Sequence, residues 1–361
     1  MSFYTRAVRP ALFALDAERA HHLTLAFLQQ PFVVRQLHAV RSATPDPRLG
    51  QRVFGLDFEH PIGLAAGLDK HGAVAPAWAA MGFAFAEIGT VTPRPQAGNP
   101  RPRLFRLPRD GAIINRFGFN SVGALQVARN LADAVPPRLR VGINVGKNKD
   151  TANEHAADDC IQAVEALHPF ADFFVINVSS PNTAGLRDLQ ESRTLRALVE
   201  RITTRAREVT AQRHIPVLVK VSPDSTPDDL LASVDAALEG GAGGIVATNT
   251  TIAREGLKSV ERLSAEAGGL SGAPLKTTAN NACMVLFRHL GRRVPIIGVG
   301  GVFSAGDAYE RIRSGASLVQ LYTALIYEGP GVVRRIVRGL SERLQMDGFT
   351  SIEEAIGSDV R

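Results

Sequence analysis

Residues 177–183 read NVSSPNT and follow the apolar run Phe173-Phe174-Val175-Ile176. Two Asn, two Ser and one Thr crowd the end of what is patterned as a buried strand, where each polar group left without a hydrogen bond costs about 1–3 kcal/mol. No His, Cys, Asp or Glu lies within the stretch to activate a hydroxyl. The pattern calls for a polar ligand held against it. Elsewhere the chain offers two lysines in comparable settings, Lys70 and Lys220, and further amides at Asn115, Asn144 and Asn249. Amides pair with ring N–H and C=O groups and lysines hold negative charge, so the set suits a polar, partly anionic heterocycle. A carboxylate pair for glycosidic acid–base work is missing, Asp69 being the main acid in this company. His21, His22, His38, His60, His71 and His155 are not spaced with acids as metal ligands are, so no metal site is expected.

Eight apolar, β-branched-rich runs must position these residues: 62–66, 85–91, 141–145, 173–178, 217–221, 244–248, 296–299 and 318–322. Segments of helical period separate most of them, at 152–167, 194–210, 227–238, 275–290 and 305–314, so the order is repeated β–α. Eight such units predict a (β/α)8 TIM barrel, in which chemistry sits at the C-terminal strand ends. The alternative, a doubly wound open sheet, usually shows a GxGxxG turn after its first strand, and GLAAGLDKHG (63–72) is not one. The polar residues fall where the barrel predicts: AAGLDK (65–70), GTVTPRP (89–95), NVGKNK (144–149), NVSSPNT, VKVSPD (219–224), ATNTT (247–251), GVGG (298–301) and LYTAL (321–325) each close a strand. GGLSG (268–272) and GVGG bracket strand 7, and glycine-rich backbone there and at Tyr322-Thr323 is placed to surround a phosphate. A ring cofactor carrying a phosphate satisfies both observations, and flavin mononucleotide (FMN) is one.

The chain has 361 residues, 45% hydrophobic and 21% charged, enough for one barrel with additions. Its two cysteines, Cys160 and Cys283, lie far apart in helical segments, which excludes a disulfide framework and points to a reducing compartment. No uncharged stretch approaches a membrane span, and Arg6, Arg9, Asp16, Glu18 and Arg19 interrupt any leader-like run. The net charge of +6 is concentrated at one end, where residues 1–52 carry seven arginines against three acids. Without basic runs interleaved with aromatics, no nucleic-acid partner is expected, and a membrane surface is the better candidate.

Together GLAAGLDK, EIGTVTPRPQAGNPRPRLFRL, NRFGFN, GINVGKNKD, INVSSPNTAGLRDLQ, ATNTT, GGLSG and IIGVGG resemble the quinone-dependent dihydroorotate dehydrogenases, from about residue 4 to residue 340. The resemblance implies an FMN enzyme of pyrimidine synthesis that oxidises (S)-dihydroorotate to orotate and passes electrons to ubiquinone or menaquinone, held peripherally at the cytoplasmic side of the cell membrane. It assigns the proton-accepting serine to Ser180, with Thr183 and Phe119 shaping its relay. Ser179 is the weaker candidate, since neighbouring strand residues face opposite ways. Orotate contacts are implied at Lys70, Asn115, Arg116, Phe117, Gly118, Phe119, Asn177, Asn182, Asn249 and Thr250. FMN contacts are implied at Ala66, Gly67, Leu68, Asp69, Lys70, Thr90, Asn144, Asn177, Lys220, Thr248, Gly272, Gly301, Tyr322 and Thr323. By the same resemblance Lys220 serves the flavin N1–O2 edge, and His21 and Arg106 stand at the inner end of a quinone tunnel.

Residues 4–15 and 17–29 read as two short helices with broad apolar faces, Val8, Leu12 and Leu15 on one, Leu23, Phe27 and Leu28 on the other. Such faces suit a membrane interface or packing against the barrel equally, and the resemblance favours the first. The expected organisation is an N-terminal helical extension at 1–50, an FMN barrel at 51–340 and an unassigned tail at 341–361. Two rivals stay open. A phosphosugar isomerase or lyase on the same barrel would use Lys220 for a Schiff base and would be colourless. A non-catalytic membrane-surface protein would lose nothing measurable on substitution of Ser180.

Overall fold

The computed structural model describes residues 2–39, 46–132, 136, 138–183, 185–210 and 213–360. All eight expected runs form strands: Ile62–Leu64, Phe85–Val91, Arg140–Val145, Phe173–Asn177, Val217–Lys220, Gly244–Ala247, Ile296–Val299 and Leu318–Leu321. They are parallel and close in chain order, strand 8 pairing with strand 1 through Val319↔Ile62. Both faces of a barrel strand are buried, one by interior side chains and one by the surrounding helices, so the runs are continuously apolar rather than alternating. Phe85, Phe173, Val175, Leu218, Val246, Ile297 and Leu318 fill the interior. A hairpin of Gln51–Val53 and Leu56–Phe58 closes the lower end, with Phe58 edge-on to Phe85 and Phe54 against Phe173.

Insertions after strands 2 and 6 cover the opposite end. Leu104–Leu107, Ala112–Asn115 and Gly269–Gly272 make a separate antiparallel sheet, joined through Arg106↔Ile113 and Gly272↔Ala112. The N-terminal segment folds as a helical extension: a single π-helical turn Tyr4–Val8, then helices Arg9–Ala14 and Ala17–Leu28 and a third, unanticipated helix Pro31–Ala39. Asp16 starts the second by accepting the Arg19 N–H at 2.9 Å. Buried Glu18 pins it to the inserted sheet's approach, accepting from Arg103 Nη2 at 2.8 Å and lying 3.1 Å from Arg101. At the far end, helix Val332–Asp347 runs across residue 340, so no break falls there. Leu344, Ile352 and Ala355 are fully buried, and the Asp359 carboxylate pairs with Arg313, tying residues 341–360 to the outer helices.

Candidate active site

Two cavities meet at the C-terminal end of the barrel. The first is polar. Ala66, Gly67 and Lys70 reach it from strand 1, Thr90 from strand 2, Asn177, Ser180 and Asn182 from strand 4 and Lys220 from strand 5. Thr248, Asn249 and Thr250 come from strand 6, Gly272 and Gly301 from the glycine loops, and Tyr322 and Thr323 from strand 8, while Asn115, Phe117, Gly118 and Phe119 arrive from the insertion. A chain of amides runs around the wall. Asn177 Nδ2 donates to Thr90 Oγ1 at 3.0 Å, Asn249 Nδ2 to Asn177 Oδ1 at 3.1 Å, and Asn182 Nδ2 to Asn115 Oδ1 at 3.3 Å. Ser180 is buried, and its Oγ accepts the Asn182 N–H at 3.3 Å.

Two lysines, Lys70 and Lys220, stand at this wall. Burial, helped by nearby Arg103, holds the Lys70 ammonium down to about 8, and its Nζ lies 4.8 Å from the centre of the Phe117 ring. Lys220 Nζ stands 3.9 Å from Glu87 Oε1. Asn182 Oδ1, Thr183 Oγ1 and Gln320 Oε1 are buried without a hydrogen-bond partner, which at about 1–3 kcal/mol each marks a site shaped for something that bonds to them.

The second cavity is apolar and large, about 1060 Å³, enclosed by the N-terminal helices against strand 8 and the helix after it. Leu12, Phe27, Leu28 and Leu325 line it, and His21 and Arg106 are among the polar groups at its wall. Arg106 turns its guanidinium to the carbonyls of Leu12, at 2.9 Å, and Leu15, and covers the Phe13 ring at 4.6 Å. Burial, with His22 beside it, pushes the His21 imidazole down to about 4. The cavities share Tyr322, and the Phe117 ring neighbours both Lys70, at 4.8 Å, and His21, whose ring centre is 6.4 Å away.

The side chains of five expected residues do not line the polar cavity. Asp69 is fully buried but its carboxylate is committed to its own turn, accepting from Ala73 and Val74 amides and from Trp78 Nε1 at 3.0 Å. Arg116 points outward, donating to Glu266 at 2.6 Å and stacking on Phe105, because its neighbours Asn115 and Phe117 take the inward direction. Leu68 faces the apolar cavity. Asn144 sits beneath the polar wall, accepting from Thr90 Oγ1 at 2.5 Å, and Thr183 is buried beside it without lining it. Conversely, Glu87, Gln320, Ser271 and Phe303 belong to the site or its floor and were not anticipated. For two of them the signal was a lone polar residue inside an apolar strand: Glu87 in FAEIG, Gln320 in LVQLY.

A closed parallel α/β barrel with a lysine-bearing polar cavity at its C-terminal strand ends, backed by an apolar one, defines the class, a barrel with its ligand site at the end where such folds carry chemistry. A family model described as dihydroorotate dehydrogenase matches residues 48–344. A protein of Anaeromyxobacter sp. (strain K) named dihydroorotate dehydrogenase (quinone) is 51% identical, the match covering 98% of this chain and 97% of that one. Its namesake in Deinococcus deserti is 49% identical over 99% of each chain. The crystal structure of DHODH from Eimeria tenella in complex with ferulenol matches with a TM-score of 0.87 at 39% identity, covering 95% of this chain and 96% of that one. The chain belongs to the dihydroorotate dehydrogenase family.

Proposed function

We propose that the chain oxidises (S)-dihydroorotate to orotate in pyrimidine synthesis, with FMN as its bound cofactor and membrane ubiquinone or menaquinone as the final electron acceptor. One observation carries this reading: a polar cavity and an apolar cavity stand back to back, sharing Tyr322, with the family's serine on the polar side. The donor set fits a flavin. Unpaired buried oxygens at Gln320 and Asn182 suit ring N–H groups. Gly272 and Gly301, at φ of 106° and 72°, bring backbone close to where a phosphate would lie, a conformation that side chains beyond glycine rarely adopt. FMN, when bound, supplies the acceptor for the hydride that leaves C6 of the substrate.

Ser180 takes the proton from C5. A serine is a weak base, so its surroundings must poise it and receive the proton. The Asn182 amide fixes Oγ in place, and the buried, unpartnered Thr183 hydroxyl, three residues on, is a candidate for an onward step, with Phe119 closing the wall. Lys70, charged below about pH 8, offers a counter-ion to the substrate carboxylate. The amides of Asn115, Asn177, Asn182 and Asn249 select a ring whose donors and acceptors match them, since an unmatched one leaves buried groups unpaired. Lys220 stabilises negative charge that develops in the cofactor's ring.

On the apolar side, His21 and Arg106 mark the inner end of a quinone path. Phe3, Leu23, Phe27 and Phe32 leave large apolar side chains exposed on the same N-terminal segment, which suits peripheral seating at the cytoplasmic face of a bilayer. No helix among the described residues is long and apolar enough to cross a membrane. The test is Ser180→Ala. It should keep FMN and orotate binding but reduce the flavin on the order of 10²-fold more slowly, as expected for a lost general base. Reduction at the normal rate would remove Ser180 from this role.

A further inference from the structure

Glu87 is a fully buried carboxylate inside the barrel for which the proposed chemistry has no use. It projects from strand 2 towards three side chains from other strands. Oε1 accepts from Asn144 Nδ2 at 2.6 Å, Oε2 accepts from Gln320 Nε2 at 2.6 Å, and Lys220 Nζ lies 3.9 Å away. Both oxygens receive N–H donors, so the group serves these amides as an acceptor. A carboxylate cannot bond to an amide oxygen. It therefore forces both amides to turn their NH2 groups inward.

The consequence travels outward through the wall of the site. With Nδ2 held by Glu87, Asn144 presents Oδ1 to Thr90 Oγ1 at 2.5 Å and Asn177 Nδ2 at 3.3 Å. Asn177 then presents its own oxygen to Asn249 Nδ2 at 3.1 Å. On the other side Gln320, held by its nitrogen, is left with Oε1 buried, unpartnered and at the cavity. We propose that Glu87 is a positioning residue: it sets the hydrogen-bond polarity of this amide chain, fixes an acceptor at Gln320 for a ring N–H of the cofactor, and opposes the charge of Lys220. This rests on the flavin reading above and adds to it the group that orients its contacts.

Glu87→Gln keeps the shape but replaces an acceptor by an amide that can face either way. Asn144 and Gln320 are then free to turn over, and the Lys220 cation stands unopposed. Two readouts separate this from a merely structural role. Titration of the apoprotein with FMN should give a Kd raised about tenfold, in line with about 1.4 kcal/mol for one lost buried hydrogen bond. The flavin midpoint potential should rise, because the unopposed cation favours the more negative reduced ring. A tenfold change in that equilibrium is about 30 mV for a two-electron couple. A structural role alone would lower the unfolding temperature and leave the potential in place.

If Glu87→Gln folds, binds FMN within twofold of the wild type and keeps its potential, the inference is overturned. Should that variant fail to fold, Gln320→Met carries the test, since Glu87 keeps Asn144 and Lys220. Its FMN Kd should rise about tenfold, the same one-bond loss, with the far-ultraviolet circular dichroism of the wild type, and an unchanged Kd overturns the proposal. A wild-type protein that binds no FMN would overturn this inference together with the proposed function. A flavin-bearing wild type with an indifferent Glu87→Gln overturns this inference alone.

Discussion

Replacing Lys70 by Met should make the protein more stable and the site worse. The folded-state depression of the ammonium from 10.5 to about 8 corresponds to about 3–4 kcal/mol at ~1.4 kcal/mol per pH unit. Methionine has a similar length and no charge to desolvate. It forfeits the contact of the cation with the Phe117 ring, an attraction of about 0.5–2 kcal/mol. The net expectation is a gain of about 1–3 kcal/mol below pH 8, after that loss. The sign of the pH dependence follows. The unfolded lysine releases its proton near 10.5 and the folded one near 8, so between these values the unfolded chain binds more protons. Wild-type stability therefore rises with pH across that window, and the advantage of Lys70→Met should shrink to nothing by its upper end. Urea denaturation of ligand-free enzyme at a series of pH values measures this directly. Orotate, titrated against both proteins at pH 7, should bind the variant about 10- to 100-fold more weakly, the worth of one charge-assisted hydrogen bond. A variant no more stable than wild type at pH 7, or with a pH-independent difference, would refute the desolvation argument. Unchanged orotate affinity would refute the placement of Lys70 at the substrate.

Lys220→Ala should slow flavin reduction by dihydroorotate and weaken FMN retention without unfolding the barrel, checked by stopped-flow absorbance and circular dichroism. His21, held down to about 4, takes up a proton more readily in the unfolded chain at 6.5, so it contributes stability above pH 6.5 that is lost as pH falls through about 4. Thermal unfolding of His21→Phe between pH 4 and 7 should accordingly vary less with pH than that of the wild type. Deleting residues 1–30 should preserve dihydroorotate oxidation with a small water-soluble acceptor, because strand 1 begins at Ile62 and Arg103 keeps the Ala97 and Asn99 carbonyls at 2.7 and 2.9 Å. The same deletion should abolish turnover of a long-tailed quinone and release the protein from anionic liposomes, read by flotation.

The barrel was legible because a strand buried on both faces is an unbroken apolar run, as in Phe85–Val91, and eight such runs admit few architectures. The rim was legible because strand 4 ends in amides and hydroxyls that a core has no use for. Less visible was anything fixed by distant pairing. The sheet of Leu104–Leu107, Ala112–Asn115 and Gly269–Gly272 joins segments about 155 residues apart, and nothing local in GGLSG announces its partner. Helix Pro31–Ala39 is only nine residues long, and its stripe of Val33, Val34 and Leu37 is too short to stand out from the preceding helical segment. The directions of the Arg116 and Asp69 side chains were not legible, because a motif marks a stretch, while direction is decided residue by residue through Glu266 and Trp78. Glu87 and Gln320 escaped for the opposite reason: one polar residue in a strand reads as an exception until the strands across the barrel are seen to answer it.

The central claim is that one polar cavity takes electrons from dihydroorotate and one apolar cavity gives them to a quinone. Mixing the purified full-length protein with (S)-dihydroorotate under anaerobic conditions, then with a long-tailed quinone in liposomes, tests both halves in a single absorbance trace. The account predicts a yellow protein whose flavin band bleaches as orotate appears in equal amount, and returns when quinone is added. A colourless protein, or one whose oxidised band persists under saturating dihydroorotate, would contradict it.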